Sequence, residues 1–361
     1  MKVMVIGFGK CGCKIADELA WLNKTARAER HIEIVSGALA VDTDASDLAQ
    51  LHNIRADYRQ RILIGAETVR GHGVGNISEL GAEIAKDGID KVMDAIRSIK
   101  RFLEADAFLL IAAAAGGTGS GAMPIMTQHL KARYVDRSIY AMIVLPFRDE
   151  GDSEERVLYN TATCLKSIHQ VADAVFLVDN QPYASKDFSL RSNMDKINQL
   201  IVEPFYNLLC VGEEKKAKHI GARMLDAGDI IQTLSGWTAI GYGKSPLPPI
   251  RLPFEWTRHF TRRGTKTHRG IEAMDEAIGT LSIRCNMADS GRALYLLSGP
   301  PKEMNVEMVK ELGGYLRRIA PSATIREGDY PVGGNAISVV LALSQLSDVE
   351  KVREYYTKFT M

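Results

Sequence analysis

Five short apolar runs rich in β-favouring residues mark the first half of the chain: 2–6 (KVMVI), 33–41 (EIVSGALAV), 107–112 (AFLLIA), 139–145 (IYAMIVL) and 174–178 (AVFLV). Each is apolar on both faces, as a central strand of a parallel sheet must be. Helical spacing fills the gaps at 12–27, 78–103, 121–133 and 153–171. In the last of these, Val157, Leu158, Cys164, Leu165 and Ile168 fall near one side. Strand and helix in alternation predict an open, doubly wound α/β sheet covered by helices.

The rhythm changes after residue 190. Ile197, Leu200, Ile201, Phe205, Leu208 and Leu209 form an apolar stripe that predicts a helix at about 191–210. Pro204 removes one backbone donor from that helix and is expected to bend it. The charged stretch 212–222 reads as a loop and 229–240 as a helix. Residues 244–270, with four prolines and Arg258, Arg262, Arg263, Lys266 and Arg269, read as a long exposed connection or a helix entry. Strands are predicted at 279–286, 293–298, 322–327 and 335–343, with a helix at 303–319. That is an α+β layer, not a second nucleotide fold.

Composition narrows the function. The 361 residues include 45 basic and 44 acidic side chains, a net charge of +1, and 46% are hydrophobic. A disordered chain would be less apolar and more one-sided in charge. A strongly basic nucleic-acid binder is disfavoured, so no nucleic-acid partner is expected. Cys11, Cys13, Cys164, Cys210 and Cys285 include no C-x-x-C pair and no zinc spacing. No bound metal site is expected from them, and free thiols suit a reducing cytoplasm. The opening MKVMVIGFGK is too short in apolar residues to read as a secretory leader. Residues 107–130 carry no Asp, Glu, Lys or Arg, but their strongly apolar part ends at Ala115. They read as a buried strand, a glycine loop and a helix, not as a membrane span.

The loops that leave the five strands hold the chemistry: GFGKCGCK, DTDAS, AAAGGTGSG, PFRDEG and DNQPY. In open α/β sheets ligands bind outside the carboxyl ends of strands, so five such loops describe one shared site. Gly7, Gly9 and Gly12 complete a G-x-G-x-x-G fingerprint between a strand and a helix. The acid such a site expects on a ribose is ambiguous: Asp42 lies 30 residues past Gly12, yet it ends the next strand. Gly116, Gly117, Gly119 and Gly121, with Thr118 and Ser120, can form an anion nest at a helix start. Two glycine loops at one edge suit a di- or triphosphate held from two sides. Gly71-His72-Gly73-Val74-Gly75-Asn76 is either a loop for the terminal phosphate or a surface turn. Asp42 and Asp44 either approach the phosphates through Mg²⁺ and its waters or serve as helix caps.

Together these motifs resemble the tubulin/FtsZ superfamily of GTPases. GGTGSG stands where that superfamily has its signature, and GFGKCGCK where it has its first glycine loop. Within it the chain is most similar to the archaeal CetZ group. The segments MKVMVIGFGKCGCKIADEL, AVDTDASDL, LPFRDEGDSEERVLYNT and LDAGDIIQTLSGWTAIGYG carry this likeness. The resemblance implies a Rossmann-like GTP-binding domain over 1–188, a central helix over 189–212 and an α+β activation domain over 213–361. It implies that Lys10, Cys11, Gly12, Cys13 and Lys14 line the phosphates of GTP or GDP from one side. Gly117, Thr118, Gly119, Ser120 and Gly121 then cradle them from the other. Glu150 is expected on the ribose, and Asn180 and Asn198 on guanine, with Asn193 an alternative to Asn198. Arg156 matches a family arginine only if two extra residues are allowed.

The catalytic acids implied are Asp226 and Asp229. They match the two acids of the family loop Asn-x-Asp-Phe-Ala-Asp, whose Asn is Met224 here and whose Phe is Ala227. On the residues alone Asp229 reads as a helix cap. In the family this loop acts on the nucleotide of the next subunit, so the expected partner is a second copy, stacked head to tail. A filament-forming cytoskeletal GTPase of the cell-shape type follows, with no membrane or adaptor partner defined. The alternatives are an FtsZ-type division GTPase and a dinucleotide oxidoreductase. The chain ends at Met361 in a predicted helix without a disordered tail, which favours the CetZ reading over the division one.

Overall fold

A computed structural model of the chain describes residues 1–148, 154–183, 190–248 and 259–360. The five apolar runs form β1 (Val3–Phe8), β2 (Val35–Asp42), β4 (Ala107–Ala113), β5 (Ser138–Leu145) and β6 (Ala174–Asp179), with a short β3 (Arg61–Leu63) beside β2. The later strands are β7 (Gly236–Pro246), β8 (Arg292–Gly299), β9 (Thr324–Pro331) and β10 (Ala336–Leu346). Among the described residues they make one ten-stranded sheet in the order β3-β2-β1-β4-β5-β6-β7-β10-β8-β9. The pairs from β3 to β7 are parallel, while β10 is antiparallel to both β7 and β8.

Helices cover both faces. They are α1 (Gly9–Arg30), α2 (Ala45–Ala49), α3 (Ala66–Val69), α4 (Ser78–Asp87), α5 (Ile89–Ser98) and α6 (Gly117–Arg133). The rest are α7 (Glu155–Val171), α8 (Leu190–Val211), α9 (Ala227–Thr233), α10 (His259–Gly279), α11 (Val306–Ile319) and α12 (Glu350–Thr360). Alternate residues of β1 enter different cores. Met4, Ile6 and Phe8 pack with α4, α5 and α6, whereas Val3 and Val5 pack with α1 and α8. The stripe on α8 is buried as its spacing requires: Ile197, Ile201, Phe205 and Leu208 are each 4% exposed or less. A large apolar side chain buried in this way contributes about 1.5–3 kcal/mol. The helix continues through Pro204. No helix among the described residues is long and apolar enough to cross a membrane.

Three expectations are corrected. The helix at 229–240 ends at Thr233, and β7 takes over at Gly236, whose φ of 59° lies in the left-handed region where a helix cannot continue. The helix at 78–103 is two helices meeting at Gly88. Residues 279–286 hold no strand. Strands β6 and β7 pair only over Ala174–Phe176 and Gly236–Thr238 and then diverge. Ser282 fills the wedge between them. Its hydroxyl donates to the Leu177 carbonyl (2.7 Å), its N–H to the Ile240 carbonyl (2.8 Å), and its own carbonyl accepts from the Asp179 N–H (2.7 Å). The backbone groups freed by the divergence are thus satisfied by an irregular segment, so that segment cannot itself be a ladder strand.

Candidate functional site

The strand order reverses between β1 and β4: the chain leaves β1 towards β2 on one side and returns to β4 on the other. A crevice therefore opens beyond their carboxyl ends. Here lies a cavity of about 400 Å³, lined by Gly9, Lys10 and Cys11 after β1, by Gly116 to Gly119 after β4, and by Asp42, Asp44 and Asp47 after β2. Its remaining wall includes His72 to Asn76. A slightly larger cavity of about 440 Å³ lies between α1, α8 and β7, around Trp21, Tyr206 and Tyr242, away from the glycine loops.

Three of the helix starts around the glycine-loop cavity share one property. α1, α6 and α4, which begins two residues after Asn76, have no side-chain cap. By contrast, α9 and α11, on the other part of the chain, are capped by Asp226 and Asn305. The first N–H groups of an α-helix have no partner inside it, and the helix dipole adds partial positive charge there. Three uncapped starts around one cavity make a receptor for a multiply charged anion.

The glycines divide between two tasks. Gly9 has φ 68°, and a Cβ there would stand 3.1 Å from the Gly119 N, so the two glycine loops face each other backbone to backbone. A Cβ on Gly116 or Gly75 would meet nothing within 4 Å, and both residues border the cavity. Gly12 and Gly121 do not line it. A Cβ on Gly12 would lie 2.1 Å from the Ile111 carbonyl oxygen, and one on Gly121 would lie 2.1 Å from that of Ser78. These two glycines bring α1 onto β4 and α6 onto α4.

Other predicted residues also turn inward. Cys13 is fully buried, its sulfur near the carbonyls of Gly7 (3.4 Å) and Val41 (3.5 Å), and burial pushes its thiol well above the usual range. Ser120 donates its hydroxyl back to the Gly116 carbonyl, one turn earlier. Lys14 is outside the lining, whereas Lys10 reaches Asp47 at 2.9 Å.

The loop after β2 carries the strongest electrostatic feature. Asp42 is 2% exposed, and its Oδ1 accepts from the N–H groups of Thr43 (2.7 Å) and Asp44 (3.3 Å). Its Oδ2 is buried with no hydrogen-bond partner among the described residues. Burial pushes the Asp42 carboxyl up to about 7, against the pull of those two N–H groups. Asp44 caps α2 through Ser46 and Asp47 and also borders the cavity. The hydrogen bonds from Ser46 hold its carboxyl below the usual value.

Asn180 and Asn198 stand outside this lining. Asn180 follows β6 with a buried Oδ1 that has no partner among the described residues, and Asn198 is buried on α8. Glu150 lies outside the described residues, as does the side chain of Asn193. Arg156 donates to the Asn76 carbonyl (3.2 Å) and pairs with Glu79. Sequence reasoning missed three groups. Thr43 Oγ1 lies 2.7 Å from Thr118 Oγ1, Asp47 pairs with Lys10, and Asn160 donates to the carbonyls of Asn76 and Ala115, both at 2.8 Å. A signal existed for Asn160, which is wholly buried at a position of α7 where the helical stripe calls for an apolar residue.

Asp226 and Asp229 lie elsewhere. They form a capping box at the start of α9: the Asp229 N–H donates to Asp226 Oδ1 (2.8 Å) and the Asp226 N–H to Asp229 Oδ2 (3.4 Å). Gly212, just after α8, places this loop in the fold. A Cβ there would stand 2.5 Å from the N of Met1 and 3.4 Å from the N of Ala227. The acids therefore neighbour the amino end of β1, whereas the glycine loops follow its carboxyl end.

Comparison with known proteins identifies relatives along the whole chain. The family model described as Tubulin/FtsZ family, GTPase domain, matches residues 2–185, and that described as Tubulin-like CetZ, C-terminal domain, matches 187–359. The chain is 34% identical to the Tubulin-like protein CetZ1 of Haloferax volcanii, over 98% of this chain and 90% of that one. It is 27% identical to the Tubulin-like protein CetZ of Pyrococcus furiosus, over 98% and 88%. The solved GDP-bound monomer of Haloferax volcanii CetZ1 superposes with a TM-score of 0.85 at 31% identity, covering 100% of this chain and 99% of that one. The GTPγS-bound protofilament of CetZ2 from the same organism gives 0.85 at 26% identity, covering 100% and 98%.

Proposed function

The chain belongs to the tubulin/FtsZ family of GTPases, and we propose that it binds GTP in the glycine-loop cavity, stacks head to tail into filaments and hydrolyses GTP where two subunits meet. One observation carries this reading: the phosphate receptor and the acid pair sit at opposite ends of β1. A six-residue strand is about 20 Å long, so one subunit's acids cannot reach its own phosphates. End-to-end stacking brings them to the next subunit's. A head-to-tail contact that does not close on itself makes a filament. The protofilament form of the CetZ2 relative supports the same arrangement.

In this reading the N–H groups at the starts of α1 and α6 hold the phosphates, and the loop ending at Asn76 closes over the terminal one. Asp42, which borders the cavity and has a buried oxygen with no partner among the described residues, and Asp44 would hold Mg²⁺ through its waters; the ion would supply charge neutralisation during phosphoryl transfer. Asn180 and Asn198 offer the paired donor and acceptor that a guanine edge takes, with Asn193 still an alternative, and Glu150 serves the ribose. Asp226 and Asp229 supply the acid side of the site, where they orient or polarise the attacking water.

The reading divides the chain into a nucleotide domain (1–188), the central helix (189–212) and an activation domain (213–361). In this reading the protein works in the cytoplasm, and the match of its second half to the CetZ domain favours cell-shape control over division. A dinucleotide oxidoreductase would account for Gly7 to Gly12 but not for the second glycine loop or the distant acids.

The test is to extract and identify the nucleotide from purified protein. Guanosine di- or triphosphate is expected, and a nicotinamide or adenine nucleotide would contradict the proposal.

A further inference from the structure

Asn160 joins two walls of the glycine-loop cavity from behind. It stands in the first half of α7, wholly buried, and its amide nitrogen donates to the carbonyls of Asn76 and Ala115, both at 2.8 Å. The first carbonyl ends the loop His72 to Asn76, and the second directly precedes Gly116. That loop and Gly116 line the cavity, whereas Asn160 does not. Its Oδ1 is buried with no partner among the described residues. A buried amide oxygen without a partner is a cost that an apolar side chain at this place would not carry. Packing therefore does not account for an asparagine here; the two carbonyls do.

Those two bonds orient the peptide groups that face the cavity. A trans peptide sets its N–H opposite its carbonyl, and there is no cis peptide among the described residues. With the Ala115 carbonyl turned to Asn160, the Gly116 N–H points the other way, and Gly116 borders the cavity. That N–H has no backbone hydrogen-bond partner among the described residues. The peptide between Asn76 and Ile77 is held at both ends. Its carbonyl accepts from Asn160 and, at 3.2 Å, from Arg156, while the Ile77 N–H donates to the Val74 carbonyl at 3.1 Å. Asn76 has φ 62°, a backbone shape that non-glycine residues seldom adopt, and these bonds hold it there. A Cβ on Gly117 would stand 2.6 Å from the Ile77 N, so this peptide also lies close against the second glycine loop.

We propose that Asn160 is a positioning residue for the phosphates: it aims the Gly116 N–H into the cavity and holds the loop ending at Asn76 at the rim. One buried side chain thus sets how far apart the two loops stand. This rests on the reading that the cavity takes a nucleotide's phosphates, with the Asn76 loop over the terminal one. It deepens that reading by naming what fixes both loops, a residue that itself touches no ligand. A diphosphate gains only from the aim of Gly116, whereas a triphosphate gains from that aim and from the placed rim loop. Asn160 therefore sets the preference between the two as well as the affinity for each.

The experiment titrates GDP and GTPγS by calorimetry into wild type, Asn160→Leu and Asn160→Ser, at protein concentrations too low for assembly. Circular dichroism melting without nucleotide is recorded alongside. Asn160→Leu keeps the branching of the side chain and removes both donors. Asn160→Ser is the milder change, leaving a hydroxyl and room for water. With each buried bond worth a small factor in affinity, Asn160→Leu is expected to weaken GTPγS about tenfold and GDP about threefold. Asn160→Ser moves both in the same direction and by less. The ratio of the two affinities is the deciding quantity, because lower stability alone leaves it unchanged in protein that is still folded. If Asn160→Leu does not fold, the ratio in Asn160→Ser decides. Equal losses for the two nucleotides in a folded variant, or no loss, overturn the proposal. If wild type binds neither nucleotide, the nucleotide reading itself fails; if wild type binds both and the variants match it, only the role of Asn160 fails.

Discussion

The hydroxyls of Thr43 and Thr118 lie 2.7 Å apart, and this hydrogen bond ties the loop after β2 to the second glycine loop. Both side chains are buried. The bond fixes the distance between Asp42 and the start of α6, and so the width of the glycine-loop cavity. Thr43→Val keeps the shape and removes the bond. A buried hydrogen bond contributes about 1 kcal/mol net, so GDP affinity is expected to fall about fivefold, as read by calorimetric titration. Unchanged affinity would show that the link does not shape the site.

Asp42 makes the stability of the nucleotide-free protein depend on pH. Its carboxyl is raised from 3.8 to about 7 in the fold, so the folded state binds more protons than the unfolded one between those values. Stability therefore falls as pH rises through that window and levels off above it. Asp42→Asn removes the cost of the buried charge. The variant should melt several degrees above wild type at pH 8 without nucleotide, and the gap should narrow steadily as pH falls towards 4. Thermal denaturation across pH measures this; a gap independent of pH would contradict the assignment.

Gly12 and Gly116 belong to the two glycine motifs, but the structure separates their roles. An added Cβ at Gly12 meets the backbone of Ile111 at 2.1 Å, whereas at Gly116 it meets nothing within 4 Å. Gly12→Ala forces α1 away from β4 and should cost more than about 4 kcal/mol, enough to unfold much of the protein. Gly116→Ala should keep the wild-type melting temperature, and any effect it has should appear in nucleotide affinity. Circular dichroism melting of both variants distinguishes these roles.

Much of this was legible in the sequence, and the failures have physical causes. The first five strands were legible because each is apolar on both faces, as a sheet covered by helices on both sides demands. The cavity followed from glycine loops at strand ends. The motif does not distinguish a glycine that borders the cavity from one that lets a neighbouring element pack closely, so Gly12 and Gly121, which admit β4 and α4, read in the sequence like phosphate-loop glycines. It also could not tell which of Ser120 and Thr118 points outward. Thr280, Leu281, Ile283 and Cys285 let 279–286 read as a strand, yet Ser282 binds the diverging β6 and β7 from between them. A helix was read through Gly236 because Ile230, Ile231 and Leu234 continue the helical spacing, and spacing carries no sign of a left-handed φ. The distance between the glycine loops and the acids was not written in the residues; it came from the family resemblance and, in the fold, from the contact of Gly212 with both Met1 and Ala227.

Asp226 and the glycine loops are expected to fail in different ways. Asp226→Ala should bind GTP with wild-type affinity and assemble, yet not hydrolyse, because the proposed shared site sets this residue against another subunit's nucleotide. Equilibrium nucleotide binding together with phosphate release checks this, and loss of binding would place Asp226 elsewhere.

The most direct test of the account is GTP turnover per subunit measured against protein concentration, with light scattering followed in the same samples. If two subunits complete the site, turnover per subunit stays near zero at low concentration, rises past a threshold, and rises together with scattering. Turnover per subunit that is constant across the whole range, with no assembly, would contradict a shared site.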